Sequence, residues 1–302
     1  MSATREARVI VSYGSHGVVQ VANEAPVPCL FRRRVGRPFC GDRVEIAPTA
    51  DGAWVVEAVQ PRVNQFMRAD GKGRPQTIAA NLDRVVITIA HRPLPSRDLL
   101  DRYLVAVHSL DLEPVIVVNK VELEPDWTEA GAATLKRLST YRDLGYEVAT
   151  TSCKGSPGVE ALAPLVTGNT SILVGQSGVG KSSLITRLVP DREIQTGALS
   201  RVTGKGTHTT TTTISYDLPG GGRLIDSPGV WEYGLWRLEQ AAIAAGFREF
   251  SAFSAACRFN DCRHDQEPGC AVKAAVADGL IKDWRHASYL RLLAQNATQP
   301  VP

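Results

Sequence analysis

No stretch of this sequence approaches the unbroken apolar run that a membrane-spanning helix requires, so a membrane partner is not expected. Residues 1–8 are polar and charged, and no apolar segment precedes a small-residue cleavage site, which argues against a secretory signal. The formal charge of +3 is too small by itself to predict nucleic-acid binding. The 6 cysteines do not follow the spacing of a secreted disulfide framework. We therefore expect a cytoplasmic protein.

The composition is that of an ordinary folded chain. With 302 residues, 43% apolar and 22% charged, global disorder is not expected, and the length suits two average domains or three small ones. Arginines are concentrated near the N-terminus, where Arg32, Arg33, Arg34 and Arg37 form a cluster. Such a cluster can face a polyanion. A solvated loop is the alternative interpretation, and the charge alone favours it.

Two patterns of apolar residues divide the chain. Between residues 9 and 63, short apolar runs at 9–11, 17–19, 44–46 and 54–56 are separated by Gly, Pro and Asp, which predicts a small all-β barrel or sandwich. Residues 68–75 are rich in Gly and charge, as is typical of a linker, and a new domain is expected to start near Ile78.

The second pattern alternates strands with helices. Strands are expected at 84–90, 114–118, 147–150 and 171–174, and helices at 96–110 and 127–144. This alternation predicts a parallel sheet covered by helices on both faces. After Gly234 the composition favours helices, interrupted by a Cys/His cluster, and residues 271–294 again resemble a helix.

The strongest motif is G-x-x-x-x-G-K-S, which follows the apolar strand ending at Val174 and precedes a helix. Its glycines allow successive backbone N–H groups to point at a phosphate, and the helix N-terminus adds partial positive charge. Lys181 is expected to reach the β- and γ-phosphates and Ser182 to coordinate Mg²⁺. A glycine-rich turn with a surface lysine is the alternative, which the strand–loop–helix context disfavours. The expected nucleotide contacts are Gly175, Gln176, Ser177, Gly178, Val179, Gly180, Lys181, Ser182 and Ser183.

A second phosphate-side motif is D-x-x-G at Asp226–Gly229. Here Asp226 is expected to approach the metal through water, and the Gly229 N–H to sense the γ-phosphate. Alone, this tetrapeptide is weak evidence for a nucleotide site. It gains weight because a threonine-rich segment lies between it and the G-x-x-x-x-G-K-S motif, the P-loop, and a switch loop is expected in that interval. One threonine among Thr209, Thr210 and Thr211 is the candidate for contacting Mg²⁺ and the γ-phosphate, and the run of threonines leaves the choice open.

Base selection is assigned to N-K-x-E at Asn119, Lys120 and Glu122, at the end of a predicted strand. A carboxylate at this position can accept hydrogen bonds from guanine N1–H and the exocyclic amine, a pattern that adenine cannot reproduce. Thr151, Ser152 and Cys153, also at a strand end, fit the loop that closes over guanine. With the P-loop, these elements select GTP and GDP as ligands.

The order of these motifs is unusual, because the base-recognising element precedes the P-loop and no second Asn-Lys pair follows Gly229. A sheet tolerates such a circular permutation if residues 160–170 join the former ends, since strands pair in space irrespective of chain order. The switch segment after Asp226 then leads directly into the C-terminal region. Nucleotide state can therefore be transmitted to an appended domain.

The C-terminal region carries Cys257-x4-Cys262-x-His264-x5-Cys270. Three thiolates and one imidazole fill a tetrahedral zinc shell, so one structural Zn²⁺ is expected rather than a catalytic metal. Buried cysteines without metal are the alternative, which the density of ligands disfavours. For Cys29, Cys40 and Cys153, packing is the expected role.

Taken together, the chain resembles the ribosome small-subunit-dependent GTPase A family over nearly its whole length. Besides the permuted order and the zinc motif, the matching segments are 40–44, 80–83, 100–104, 206–211, 226–229 and 234–236. The resemblance implies an α/β protein with a central permuted P-loop GTPase domain over residues 76–234. It also implies an OB-type β-barrel at 1–75 that contacts ribosomal RNA, and a mainly helical zinc-binding domain at 235–302 that docks on the subunit.

The same resemblance implies a monomer that acts as a late assembly factor of the small ribosomal subunit, with slow GTP hydrolysis accelerated by the ribosome. Lys181, Asp226 and His208 are its expected catalytic residues. Val230 follows Gly229 and cannot orient a water molecule, and His208 in the threonine-rich loop is the family-consistent substitute. Without the resemblance, a histidine in a polar loop is usually an exposed bystander.

Three positions depart from the family pattern. Glu122 stands where aspartate is usual, Thr207 where a basic residue is usual, and Trp231 where arginine is frequent. Two other function classes are alternatives: a nucleic-acid-binding module in which the nucleotide domain serves as a conformational clasp, and an ATP-dependent kinase. An enzyme that hydrolyses GTP is favoured over the binding module by four residues: His208, Lys181, Ser182 and Asp226. The kinase is disfavoured by the Asn119-Lys120 pair.

Overall fold

The computed structural model describes residues 4–70, 74–96, 98–126, 136–203, 212–227 and 237–298. Within these ranges, none of the helices combines the length and apolar character needed to cross a membrane.

The N-terminal strands close into a five-stranded barrel, as the closely spaced apolar runs predict. Its strands are β1 (Arg5–Ser12), β2 (His16–Gln20), β3 (Val27–Phe31), β4 (Arg43–Pro48) and β5 (Trp54–Val59). They pair in the order β1-β2-β3-β5-β4, and β4 returns to β1; all neighbours are antiparallel except β3 and β5. Val9, Val19, Ile46 and Val56 point into its core. This is the strand order of an OB-type barrel.

Residues 68–75 are predicted as a linker, but residues 68, 69 and 75 belong to two paired strands, so that prediction is wrong for them. Strands β6 (Gln65–Ala69) and β7 (Pro75–Ala80) pair with Ala69 opposite Pro75. Glycine is common in tight turns as well as in linkers, so its density in the sequence does not separate the two. This pair of strands docks on the barrel: Ala80 donates its N–H to Cys40 O at 2.9 Å. A Cβ at Gly41, whose φ is +89°, would lie 2.2 Å from Ala80 O, so this approach requires glycine.

A central sheet carries the expected parallel strands: β8 (Arg84–Ala90), β9 (Glu113–Asn119), β10 (Glu147–Thr151), β11 (Thr170–Val174) and β13 (Arg223–Asp226). Their order is β10-β9-β8-β11-β13, and β12 (Ile214–Asp217) adds an antiparallel edge strand. Strand β12 also pairs with β1 at Val11 and Ile214, which joins the sheet to the barrel.

Helices cover both faces of this sheet, and a separate buried cluster fills the space on each face. They are α1 (Leu99–His108), α2 (Leu138–Asp143), α3 (Ala163–Val166), α4 (Lys181–Leu188) and α5 (Arg192–Thr203), with a 3₁₀ helix at Val121–Asp126. The helix predicted at 96–110 is shorter in the structure, where it begins at Leu99 and ends at His108. Of the helix predicted at 127–144, residues 127–135 lie outside the described part of the chain.

The C-terminal region is helical, as its composition predicts. It contains α6 (Gln240–Ala245), a 3₁₀ turn (Arg248–Phe250), α7 (Ser251–Ser254), α8 (Ala271–Ala277) and α9 (Asp283–Ala297). The segment expected to be helical at 271–294 is thus two helices, separated by a turn at Gly279, whose φ is +74°. Phe247, Tyr289 and Leu292 pack into the same buried cluster as Ile87 and Tyr103 of the central domain.

Candidate functional site

Most of the predicted nucleotide-contacting residues meet at one edge of the central sheet. Asn119 ends β9, Thr151 ends β10, Gly175 follows β11 and Asp226 ends β13. Because these strands are parallel, their carboxyl ends lie side by side, which is where open α/β sheets bind ligands. The sheet thus assembles motifs that are far apart in sequence.

The P-loop has the backbone shape that its glycines predict. Gly175 has a φ of +140°, and a Cβ there would lie 2.1 Å from Thr88 O of β8. Gly180 has a φ of +98°, and a Cβ there would lie 2.3 Å from Asn119 Nδ2. The loop is therefore held against two neighbouring strands, and α4 begins directly at Lys181. Its N-terminus provides the N–H groups and partial positive charge that attract phosphate.

The side chain of Lys181 donates hydrogen bonds to the backbone of its own loop. Its Nζ donates to Gly175 O at 2.6 Å and to Gln176 O at 2.9 Å. Burial lowers the pKa of Lys181, and the charge of Asp226 opposes that effect. A phosphate group offers this ammonium a charged acceptor in place of two neutral carbonyls, which is a stronger hydrogen bond.

Asp226 and Ser182 provide oxygen atoms at the phosphate end of the site. Asp226 is buried at the end of β13, and burial raises the pKa of its carboxyl, whereas Arg192 and Lys181 act in the opposite direction. Ser182 is exposed in the first turn of α4. A carboxylate and a hydroxyl are hard oxygen donors of the kind that Mg²⁺ selects, so the residues present fit the expected metal.

Asn119 connects the P-loop to the predicted base-binding loop. Its Nδ2 donates to Val179 O at 2.9 Å, and its Oδ1 accepts from Thr151 Oγ1 at 3.0 Å. Lys120 adds a second link, because its Nζ donates to Gly178 O and to Arg92 O. Asn119 thus links the P-loop to the loop at Thr151, and Lys120 links the P-loop to Arg92, which follows β8.

Glu122 lies in the 3₁₀ helix after β9. Its Oε2 atom is buried, and among the residues that the structure describes it has no hydrogen-bond partner. A buried acceptor without a partner is costly in a folded protein. The N1–H and amine of guanine are donors that suit this carboxylate.

The loop at Thr151–Cys153 is held in place by hydrogen bonds. Ser152 Oγ accepts from the N–H groups of Lys154 at 3.2 Å and Gly155 at 2.9 Å, which shapes the turn. Arg187 of α4 donates to Cys153 O at 2.7 Å. Burial raises the pKa of the Cys153 thiol, with a further contribution from Glu122, so the thiol is held in its neutral form.

Several predicted site residues lie outside the described ranges. They are His208, Thr209, Thr210, Thr211 and Gly229, together with Thr207, Val230 and Trp231.

Arg192 is a site residue that the sequence does not reveal. One guanidinium nitrogen donates to Asp226 Oδ2 at 3.2 Å, although Arg192 belongs to no motif. An arginine at the start of a polar helix is ordinarily a solvated surface residue, so only the spatial arrangement identifies it.

The four predicted zinc ligands do come together. Their donor atoms all lie within 4.8 Å of one another. His264 Nδ1 lies 3.5 Å from Cys270 Sγ and 3.7 Å from Cys257 Sγ, and the two thiols are 4.0 Å apart. Zinc–sulfur bonds of about 2.3 Å in a tetrahedron place sulfur atoms about 3.8 Å apart. The spacing and the soft donors therefore fit Zn²⁺.

The surroundings of this cluster support metal binding. Burial lowers the pKa of His264, although Glu267 opposes the effect, and the neutral imidazole is the form that binds metal. Tyr289 donates its hydroxyl to Arg263 O at 2.9 Å, and His286 Nε2 lies 2.6 Å from His264 O. Helix α9 thus holds the loop that carries the ligands. Cys29 and Cys40 are buried away from it, as their predicted packing role requires.

Comparison with known proteins agrees with this geometry. The family model described as RsgA GTPase matches residues 59–236. A protein of Chromohalobacter salexigens named "Small ribosomal subunit biogenesis GTPase RsgA" is 46% identical over 265 residues, covering 88% of this chain and 77% of its own length. A protein of Histophilus somni with the same name is 43% identical over 295 residues, covering 96% and 83%.

Two solved structures extend the likeness to the whole fold. YjeQ from Thermotoga maritima is 28% identical, with a TM-score of 0.77 over 99% of this chain and 100% of its own. YloQ, titled a circularly permuted GTPase, is 26% identical, with a TM-score of 0.75 over 99% and 98%.

Proposed function

The chain belongs to the RsgA GTPase family, and from this premise we propose that it hydrolyses GTP to GDP and phosphate during biogenesis of the small ribosomal subunit. The observation that carries the proposal is the meeting of the P-loop, Asp226 and the Asn119–Glu122 element at one sheet edge. Its relatives named as small-subunit biogenesis GTPases support the assignment of the process.

In the proposed complex, residues 175–183 bind the phosphates, with Lys181 on the β- and γ-phosphates. Ser182 would hold Mg²⁺ and Asp226 would approach it through water; the metal, when bound, neutralises charge on the phosphates. Glu122 accepts hydrogen bonds from guanine, and residues 151–153 close over the base. The buried, unpartnered oxygen of Glu122 among the described residues supports this role.

We propose that His208 positions the attacking water. The γ-phosphate contacts are assigned to Gly229 and to one threonine among Thr209, Thr210 and Thr211. This assignment rests on the sequence motifs and on Val230, whose side chain cannot position water. In this proposal the histidine orients the attacking water and accepts or donates a hydrogen bond to it. Replacing His208 with alanine is expected to abolish stimulated turnover while leaving nucleotide binding intact.

The flanking regions are proposed as the docking parts, with boundaries at 1–75, 76–234 and 235–302. Arg32, Arg33, Arg34 and Arg37 are all exposed around a 3₁₀ turn of the barrel, and we propose that they contact ribosomal RNA. The zinc-binding region is proposed as a second contact with the subunit. We further propose a cytoplasmic monomer, in keeping with action on an assembling ribosome.

The decisive experiment measures GTP turnover by the purified protein alone and with purified small ribosomal subunits. Lys181→Ala serves as the blank. Stimulation by the subunit, absent in the blank, is the expected result. Turnover that is indifferent to the subunit would retain the GTPase and remove the proposed partner, and turnover equal to the blank would remove the enzyme.

A further inference from the structure

Arg192 occupies the phosphate end of the nucleotide site. Its guanidinium donates to Asp226 Oδ2 at 3.2 Å, to Ser182 O at 3.3 Å and to Thr186 Oγ1 at 3.2 Å. It also lies 5.5 Å from the ring centroid of Tyr216, on the neighbouring edge strand. The side chain is therefore fixed on three sides, by α4, β13 and β12.

The position of this contact matters, because the Asp226 side chain is only 11% exposed. An ionised carboxylate with so little access to water needs a nearby cation. Lys181 acts on it through charge, but its hydrogen bonds go to Gly175 and Gln176. Arg192 thus supplies the hydrogen-bonded positive charge that Mg²⁺ would otherwise supply near the same group.

We propose that Arg192 is a positioning residue that holds Asp226 in the nucleotide-free protein and competes with Mg²⁺ for that carboxylate. Binding of Mg²⁺ with the nucleotide displaces the guanidinium, and loss of the nucleotide restores the contact. The proposal rests on the proposed function, since it takes Asp226 as the residue on the metal side.

Helix α5 connects the Arg192–Asp226 contact to the N-terminal barrel. Arg192 is its first residue, and Gln195 binds β12 through two hydrogen bonds to the backbone of Asp217, at 3.2 and 3.0 Å. Further along, Leu199 is buried against Ile10, Val11 and Val18 of the barrel. Release of Arg192 frees the first turn of α5 while the other contacts remain. Metal binding at Asp226 is thereby coupled to the helix that touches the barrel.

The test uses the full chain and a fluorescent GDP analogue, with Mg²⁺ varied at fixed nucleotide. In Arg192→Gln, the Mg²⁺ concentration that half-maximally slows release of the analogue is expected to fall about fivefold, the effect of removing one partly exposed competing ion pair. The control Arg74→Gln makes the same charge change at a side chain that is 65% exposed and bonded to Asp70. It should match the wild type.

A second readout needs no nucleotide. With chelator and no nucleotide, Arg192→Gln is expected to melt below wild type, because Asp226 loses its hydrogen-bonded cation. With saturating Mg²⁺ and GDP, the two should melt together. Arg192→Lys, which keeps the charge but has fewer donors, should fall between them and guards against a misfolded glutamine variant.

An unchanged or increased Mg²⁺ requirement in Arg192→Gln would overturn the proposal, because an increase would mean that Arg192 supports the loaded state. Equal melting of the nucleotide-free proteins would also overturn it. Failure of the wild type to bind the GDP analogue would remove the nucleotide site itself, and with it this role for Arg192. Binding by wild type with an unaltered Mg²⁺ response in the variant would overturn the proposed role of Arg192 and leave the proposed GTPase function intact.

Discussion

Arg285 of α9 donates a hydrogen bond to Asp101 of α1, and both side chains are almost completely buried. The same guanidinium binds both oxygens of Glu249, at 2.6 and 3.0 Å. Burial alone would lower the pKa of Arg285, but the charges of Asp101 and Glu249 raise it above its ordinary value. Tyr141 completes the group by donating its hydroxyl to Asp101. This ion cluster joins the C-terminal helices to the central domain.

Removing Arg285, the centre of that cluster, should strongly destabilise the fold. Arg285→Leu leaves Asp101 and Glu249 buried without a cation, so a loss of about 3–5 kcal/mol in the free energy of unfolding is expected. Arg5→Leu is the matched control, since Arg5 pairs with Glu24 and the two side chains are 38% and 51% exposed, and about 1 kcal/mol or less is expected there. Urea unfolding measures both. Equal losses would contradict the argument from burial.

The zinc site gives a second prediction. Cys270 Sγ accepts from Lys273 N at 3.4 Å at the N-terminus of α8, so the ligand also caps a helix. Cys270→Ser should lose the metal, and a chelator should lower the helical signal and the melting temperature of the wild type. Cys29→Ser, which changes a buried cysteine of the barrel core, should retain one zinc per chain by elemental analysis. Zinc retained by Cys270→Ser would contradict the ligand assignment.

The sequence predicts the architecture well where local pattern and packing agree. The apolar strand before Gly175 and the alternation along 84–174 led to the correct parallel sheet, because each strand is buried on both faces. The closely spaced runs near Val9 and Val44 likewise predicted the barrel. The sequence does not predict the pairing of β6 with β7, since the residues between them have the Gly-rich, charged composition of a linker.

Contacts between segments that are distant in the chain cannot be predicted from the sequence. The contact of Arg192 with Asp226 depends on where β13 and α5 meet. The contact of Arg285 with Asp101 depends on how α9 packs against α1. Neither contact follows from apolar periodicity or from a sequence motif. Asn119 was predicted as a base-contacting residue on the strength of its motif. Its hydrogen bonds to Val179 and Thr151, which tie it to two loops, do not follow from the motif.

Glu122 can be tested as the determinant of base selection. Glu122→Gln removes the charge and turns one acceptor into a donor, so GTP affinity should fall about 10- to 100-fold, as for loss of hydrogen bonds to a charged group. Affinity for xanthosine triphosphate should rise, because its base presents an acceptor where guanine has the amine. Glu113→Gln, at a carboxylate whose side chain is 74% exposed, is the control. Unchanged GTP preference in Glu122→Gln would sink the assignment.

Asn119 should behave differently from Glu122, although both belong to one motif. Asn119→Ala leaves Val179 O and Thr151 Oγ1 without their partner in a buried place, so the P-loop and the base loop are no longer held together. Affinity for GTP, GDP and xanthosine triphosphate should therefore fall together, by about tenfold, with their ratio unchanged. Titration of fluorescent nucleotides with each variant measures this ratio. A changed ratio in Asn119→Ala would mean that its amide contacts the base directly, whereas a common loss places Asn119 in the framework of the site and leaves selection to the carboxylate of Glu122.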